Sequence, residues 1–490
     1  MGTEGTSGGL VRQLSWVHSA SVIIGTMIGA GIFVITAEAA GIMGPAVPLG
    51  FVLAVPVIVA TALVYSVYMS SPLGDHPGGA YVHISRTWNS LFAGYLFMWL
   101  KWVSFIGALA VLSTGFGEAM QFFEPLAFLG ITEWAVVWVT VFFLLNLSGV
   151  DVFGNAQAVM TGLLLLILIL LALPGLAFVE LDNFSPLFPD ELYGSGYVDP
   201  FLQGMAALMF SYIGFEALAQ TAGETENPRE TLPKVFAYST VFVGALYTLV
   251  TLVVIGVLGW EGAAATDTPL TEAAATYFPL GTAGIVAIGS MLAFATSLNS
   301  TFMVPSRILY MFGEDDIVPD ALTHVNDRFN TPDVGLTITW VLAVAVLVTG
   351  TFEFALAISL AALFMMYVAH SVSALAMPWV RPELYERCNL RFKPWVLAII
   401  AGFSAIFMGL FAWQTIALDS FGPALETLLS GQIRAGLTAS PALLIVVWSV
   451  VGIAIFVGYK AYRRSQGIEH DEDRILRAVY EDEEPSTVED

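Results

Sequence analysis

Long apolar runs broken by short polar stretches recur along this chain at 16–40, 47–70, 91–118, 133–150, 156–179, 201–222, 235–258, 281–312, 334–350, 354–377, 395–418 and 441–459. Each approaches the roughly 20 residues that carry a helix across bilayer hydrocarbon. The fourth and ninth are the shortest, and the eighth is long enough to tilt or project. Hydrocarbon offers backbone groups no water, so spanning segments satisfy themselves as helices. The pattern therefore predicts an all-α polytopic membrane protein of twelve transmembrane helices.

Two of the runs are interrupted. The first contains Gly25-Thr26-Met27-Ile28-Gly29-Ala30-Gly31-Ile32-Phe33, and each glycine costs a helix interior about 0.8–1 kcal/mol relative to alanine. Two readings fit: a break whose freed amides and carbonyls meet a ligand, or small residues that let neighbouring helices approach closely. The sixth run contains Phe210-Ser211-Tyr212-Ile213-Gly214-Phe215-Glu216, with a serine, a glycine and an acid in apolar surroundings. Segments one and six are five apart. An odd offset makes the two halves cross the membrane in opposite senses, as inverted repeats do, and paired interruptions at matching places favour the ligand-site reading.

Basic residues set the orientation. With the N-terminus inside, Arg12, Arg86, Arg229, Lys234, Arg307, Arg328, Arg381, Arg387, Arg391, Lys393 and those beyond 459 fall on the cytoplasmic side. Arg434 falls outside, and Lys101 lies within the third segment. Both termini are thus expected in the cytoplasm of a multi-pass cell-membrane protein.

Composition agrees: 57% of the residues are hydrophobic and 12% charged, with a mean hydropathy of +0.79. The formal net charge of −23 reflects carboxylates crowded into the polar parts, above all 469–490. A solvated acidic tail explains part of it. A halophilic, archaeal source explains more, because strong salt screens such repulsion. Cys388 is the single cysteine, so no disulfide framework or cysteine metal site forms. No zinc, P-loop or dinucleotide pattern occurs. The chain is not expected to be an enzyme, to carry a cofactor or transition metal, or to bind nucleic acid.

Several stretches together resemble the amino acid–polyamine–organocation permeases. Gly25 to Phe33 is similar to their first-helix signature, and Pro77-Gly78-Gly79-Ala80-Tyr81 to the loop before helix three. Gly214-Phe215-Glu216 with Glu224-Thr225-Glu226-Asn227-Pro228 and Pro233 resembles the sixth helix and its exit. Ser306-Arg307 and Tyr310 resemble the end of helix eight. The resemblance implies a leucine-transporter-like fold. Its parts are a 1–15 segment, a 16–179 five-helix repeat, its inverted copy at 201–377, helices eleven and twelve at 395–459, and an acidic tail at 460–490. It implies a secondary transporter that imports an amino acid by alternating access. The amides around Gly29, Ala30 and Gly31 would hold the carboxylate, and carbonyls near Phe210, Ser211 and Ile213 the ammonium. Ala30 stands where a serine is common in the family. Small and apolar candidates such as Met27 point to a neutral substrate.

Lys101, costly at a helix centre, either snorkels to the interface or pairs near the site. Glu216 either accepts backbone N–H groups of the unwound segment or carries a proton. Proton-coupled relatives resemble one another in a lysine on helix five, and the matching position here falls at Leu164. Ala293, Thr296 and Ser297 share one face of helix eight. With carbonyls of Gly25 and Ile28 they resemble the sodium site of sodium-coupled relatives, or they merely pack. Proton coupling, ion-independent exchange, and a transporter-shaped nutrient sensor are the alternatives.

Overall fold

The computed structural model describes residues 11–481 apart from 30, 195, 197, 213, 267, 279, 280, 351, 417, 469 and 470. A helix falls on every apolar segment. The first segment holds α1 (Trp16–Met27) and α2 (Gly31–Met43). Next come α3 (Val47–Met69), a short connecting helix α4 (Ala80–Trp88), α5 (Leu91–Gln121), α6 (Ile131–Leu147) and α7 (Val150–Gly175). The sixth segment is split between α8 (Val198–Met209) and α9 (Ala217–Gln220). Then follow α10 (Pro228–Ala264), α11 (Thr282–Glu314), α12 (Asp333–Thr349), α13 (Phe352–Val380), α14 (Pro394–Ile416), α15 (Pro441–Ser465) and α16 (Glu472–Glu481).

Among the described residues, nine helical stretches are long and apolar enough to cross a membrane, while Ile131–Leu147, Pro200–Met209 and Asp333–Thr349 are shorter. These are the fourth, sixth and ninth segments: two are short as expected, and the sixth is short because it is broken. Helix α10 begins at Pro228, ahead of the expected 235. Asn227 adopts a left-handed φ of 46° and Pro228 starts the first turn, where proline's missing N–H costs nothing.

The burial pattern is that of a membrane protein. Leu163, Leu166, Leu170 and Leu173 are exposed along one face of α7, and Ile399, Phe403, Ile406, Leu410 and Trp413 along α14. These helical-period stripes turn large apolar groups outward, which a soluble monomer avoids on this scale. Asn146, Gln157, Thr161, Asn299 and Glu216 are buried instead.

Helix α5 is the hub, packing on α13, α11 and α6. Helix α15 is fixed to it by Trp99 and Trp448, whose rings stack at 5.0 Å and 5°. Each indole N–H donates to the other residue's carbonyl, at 3.0 and 3.3 Å. Helix α4 is tied to α13 through a fully buried imidazole pair, His83 Nδ1 to His370 Nε2 at 2.8 Å, with Tyr68 stacked on His83 at 4.5 Å.

Helix α16 docks on the arginine-bearing end of the bundle. The Glu472 carboxylate accepts the Leu91 backbone N–H at the start of α5 (2.9 Å) and pairs with Lys460 (2.8 Å). Leu476 is fully buried. Placing a carboxylate there removes the apolar contact and adds an unpaired buried charge. Leu476→Asp is therefore expected to detach α16 and speed protease cleavage between 466 and 481, with the bundle's melting transition retained. A wild-type cleavage rate would show that Leu476 does not hold the helix.

Candidate functional site

Helix α1 ends because the backbone departs from helical geometry after Met27, and Ile28 closes the last turn by donating to the Ile24 carbonyl at 2.9 Å. Helix α2 restarts at Gly31. Ala30, expected to help hold a carboxylate, lies outside the described residues, as does Ile213. The second interruption runs from a 3₁₀ turn at Phe210–Tyr212 through Gly214 to α9. Gly214 has φ 99°, and a Cβ there would run into the Thr26 side chain, so only glycine suits both the angle and the space.

The two interruptions meet. A Cβ on Gly31 would lie 2.6 Å from the Ser211 Cα, backbone against backbone. The Tyr247 hydroxyl on α10 stands between the carbonyl of Met27 and that of Ser211 (2.8 Å), one donor shared by both breaks. Among the described residues, the Ser211 hydroxyl, in a residue 1% exposed, has no hydrogen-bond partner. A buried orphan of this kind costs about 1–3 kcal/mol, and it lies at the junction of the two interruptions.

Helix α11 closes the other side of the first break. Ser297 Oγ donates towards the carbonyls of Thr26 (3.2 Å) and Gly25 (3.4 Å), and a Cβ on Gly29 would collide with that hydroxyl. The glycines thus serve both readings of the sequence: they break the helix and let neighbours approach. Thr296 Oγ1 turns back to the Ala293 carbonyl (2.9 Å). Thr26 Oγ1 bonds Ser300 Oγ at 2.6 Å. Of the candidate sodium-site residues, Ser297 and Gly25 are hydrogen-bonded to each other. The Thr296 Cβ packs on Gly25 while its hydroxyl bonds Ala293, and Ser297 meets the carbonyl of Thr26 rather than that of Ile28.

On α7 the residues facing Gly25 are Gln157 and Thr161, two turns and one turn before Leu164. Gln157 Nε2 donates to the carbonyls of Ser21 (3.3 Å) and Thr296 (3.2 Å), and Thr161 Oγ1 to Ser21 (3.1 Å). Asn299 holds the Gln157 carbonyl oxygen at 2.8 Å and is itself bonded by Asn146. No lysine stands at any of these α7 positions.

Lys101 does not reach back along α5. Its Nζ lies 3.0 Å from Glu216 Oε1, with 2% and 3% of the two residues exposed. Glu216 Oε2 accepts the Gly214 N–H at 3.0 Å and the Tyr367 hydroxyl at 2.5 Å. The carboxylate accordingly holds the unwound backbone, one of the two roles read from sequence, while the lysine neutralises it.

One end of the assembly is tied together by buried ion pairs. Arg307 on α11 grips Glu224 with Nη2–Oε1 at 2.7 Å and Nε–Oε2 at 3.3 Å, both residues buried. The Glu224 carbonyl accepts the amides of Gln13 and Leu14 at 2.9 Å each. Arg86 grips Asp315 likewise, at 2.6 and 2.7 Å. Glu38 and Glu118 are exposed. Sequence reasoning missed Tyr247, Tyr367 and Gln157; their signal was a polar group inside an apolar span.

The amino acid permease family profile matches residues 14–424. The branched-chain amino acid permease BcaP of Bacillus subtilis is 27% identical over 364 residues, 70% of this chain and 75% of that protein. The chloroplastic cationic amino acid transporter 9 of Arabidopsis thaliana is 28% identical over 66% of this chain and 58% of its own length. A methylthioribose transporter of Bacillus subtilis is 25% identical over 71% and 77%. These are transporters rather than enzymes, and the family profile runs through both interruptions. The chain belongs to the amino acid permease family, within the amino acid–polyamine–organocation superfamily.

Proposed function

We propose that this protein imports a neutral amino acid across the cell membrane by alternating access, using the junction of the two helix interruptions as its substrate site. The observation that carries this is the meeting of Gly31 and Ser211 backbone to backbone beside an unpaired, buried Ser211 hydroxyl. A zwitterion needs donors for its carboxylate and acceptors for its ammonium. Amides of Gly29 and Gly31 at the start of α2 supply the first, and carbonyls of Phe210 and Ser211 the second, without a formal charge. Small and apolar neighbours such as Met27 leave the side chain an uncharged environment.

In this reading the end tied by these ion pairs is cytoplasmic, with both termini on that side. Helices one to five and six to ten form opposed repeats, and alternating access opens that end by moving the exit of the broken sixth helix away from helix eight, parting Arg307 from Glu224. Sodium is the proposed driver, bound between the Thr296 and Ser297 hydroxyls of α11 and the carbonyls at Gly25. One inward charge gains about 2.3 kcal/mol per 100 mV. Since ion and substrate order the same break, each should raise the other's affinity by one factor.

A second reading has its own observation. Gln157 Nε2 already offers N–H groups to the Ser21 and Thr296 carbonyls, so a fixed neutral donor stabilises the contact that a cation would serve. That favours ion-independent exchange. Uptake into proteoliposomes in sodium, potassium or choline at constant ionic strength separates the two. Sodium coupling predicts uptake in sodium alone, lost in Thr296→Ala with Ser297→Ala. Equal uptake in all three salts contradicts it.

A further inference from the structure

Both oxygens of the Glu216 carboxylate are occupied from within the protein. Oε2 takes the Gly214 N–H and the Tyr367 hydroxyl, and Oε1 faces Lys101 Nζ at 3.0 Å. The ammonium also lies over the Phe105 ring, 4.4 Å from its centroid. Lys101 comes from α5, while Glu216 belongs to the interrupted stretch itself, two residues past Gly214. A neutral acceptor would cap the Gly214 amide equally well. The backbone therefore explains an oxygen at this position but not a full negative charge, still less a lysine brought from another helix to cancel it.

The relatives bear on what such a charge does. Some carry cationic amino acids by name and others branched-chain ones. A carboxylate that caps the Gly214 amide of the interrupted stretch, where Gly214 packs on Thr26 of the other break, is a ready counter-charge for a basic side chain. Here its charge is already satisfied by a tethered ammonium, buried on all sides. A second cation would meet like-charge repulsion in a site with little water to screen it.

We propose that Lys101 is a specificity-determining residue whose ammonium fills the place a cationic substrate side chain would take against Glu216, so that the site admits uncharged side chains. This rests on the proposed neutral amino acid site. The converse holds for the partner: without Glu216's charge, Lys101 becomes a counter-ion for an anionic side chain.

The test is uptake of leucine, arginine and glutamate into proteoliposomes by wild type, Lys101→Met, Glu216→Gln and the double variant, each checked for a cooperative melting transition. Wild type should take leucine alone. Lys101→Met should raise arginine uptake relative to leucine by about tenfold or more, and Glu216→Gln should do the same for glutamate. The double variant should return to leucine alone, and Lys101→Arg should keep the wild-type preference. If Lys101→Met does not fold, Lys101→Gln, which retains a hydrogen bond to Glu216, takes its place, and Glu216→Gln decides independently. Folded single variants that gain neither charged substrate would overturn the role of Lys101 while leaving the neutral reading intact. Arginine uptake by wild type would overturn the neutral reading itself.

Discussion

Gly31→Ala is expected to cost the protein its substrate while sparing its fold. The added Cβ would sit 2.6 Å from the Ser211 Cα and 2.9 Å from its Cβ. Backbone cannot rotate aside as a side-chain tip can, so the two interruptions must move apart. Overpacking of this kind costs about 1–3 kcal/mol, and a similar loss in binding weakens affinity by up to about a hundredfold. Gly29 offers the contrast. Its added Cβ meets the Ser297 hydroxyl, which can swing away at the expense of its contacts with the Gly25 and Thr26 carbonyls. Gly29→Ala should therefore bind substrate but alter the ion dependence, whereas Gly29→Leu and Gly31→Leu should both abolish binding. Substrate-induced thermal stabilisation reads all four variants. Unchanged stabilisation in Gly31→Ala would place the substrate elsewhere.

The second large effect belongs to Arg307 and Glu224. Truncating either one strands a charge in a residue no more than 2% exposed. Breaking a buried pair from one side costs about 3–5 kcal/mol, because the remaining charge is uncompensated. Glu224→Ala and Arg307→Ala should each lower the melting temperature sharply. Replacing both, Arg307→Met with Glu224→Met, removes the stranded charge and should recover most of that loss. Transport should not recover, since the clasp between α11 and the exit of α9 would no longer hold that end shut. The Glu224 carbonyl still receives Gln13 and Leu14, so the N-terminal segment should stay in place. Melting curves alongside initial uptake rates separate the effects. A double variant as unstable as the singles would mean that the pair's geometry, not its charge balance, supports the fold.

Much of this architecture was legible before any coordinates. Apolar period and length located each span, because hydrocarbon permits few alternatives. The glycines of the first segment and Gly214 in the sixth announced the interruptions. What could not be read was which distant groups met there. Lys101 and Glu216 were each conspicuous, but their pairing depends on how α5 lies against the broken sixth segment. Tyr247 and Tyr367 carry no periodic signal, since a tyrosine in an apolar span looks like any large hydrophobe until its hydroxyl finds a carbonyl or carboxylate. Gln157 and Thr161 meet Gly25 on the turns of α7 before Leu164, a contact set by how α7 lies against α1 and not by spacing along either helix. His83 and His370 stand 287 positions apart, beyond any local pattern.

Uptake of radiolabelled amino acids by the purified protein in proteoliposomes, run against Gly31→Ala in matched vesicles, addresses the paired-interruption site most directly. Saturable uptake of a neutral amino acid by wild type, competed by other neutral amino acids and absent in the folded Gly31→Ala protein, is the expected result. Undiminished uptake by Gly31→Ala, or wild-type vesicles that accumulate no amino acid under any ion gradient, would contradict it.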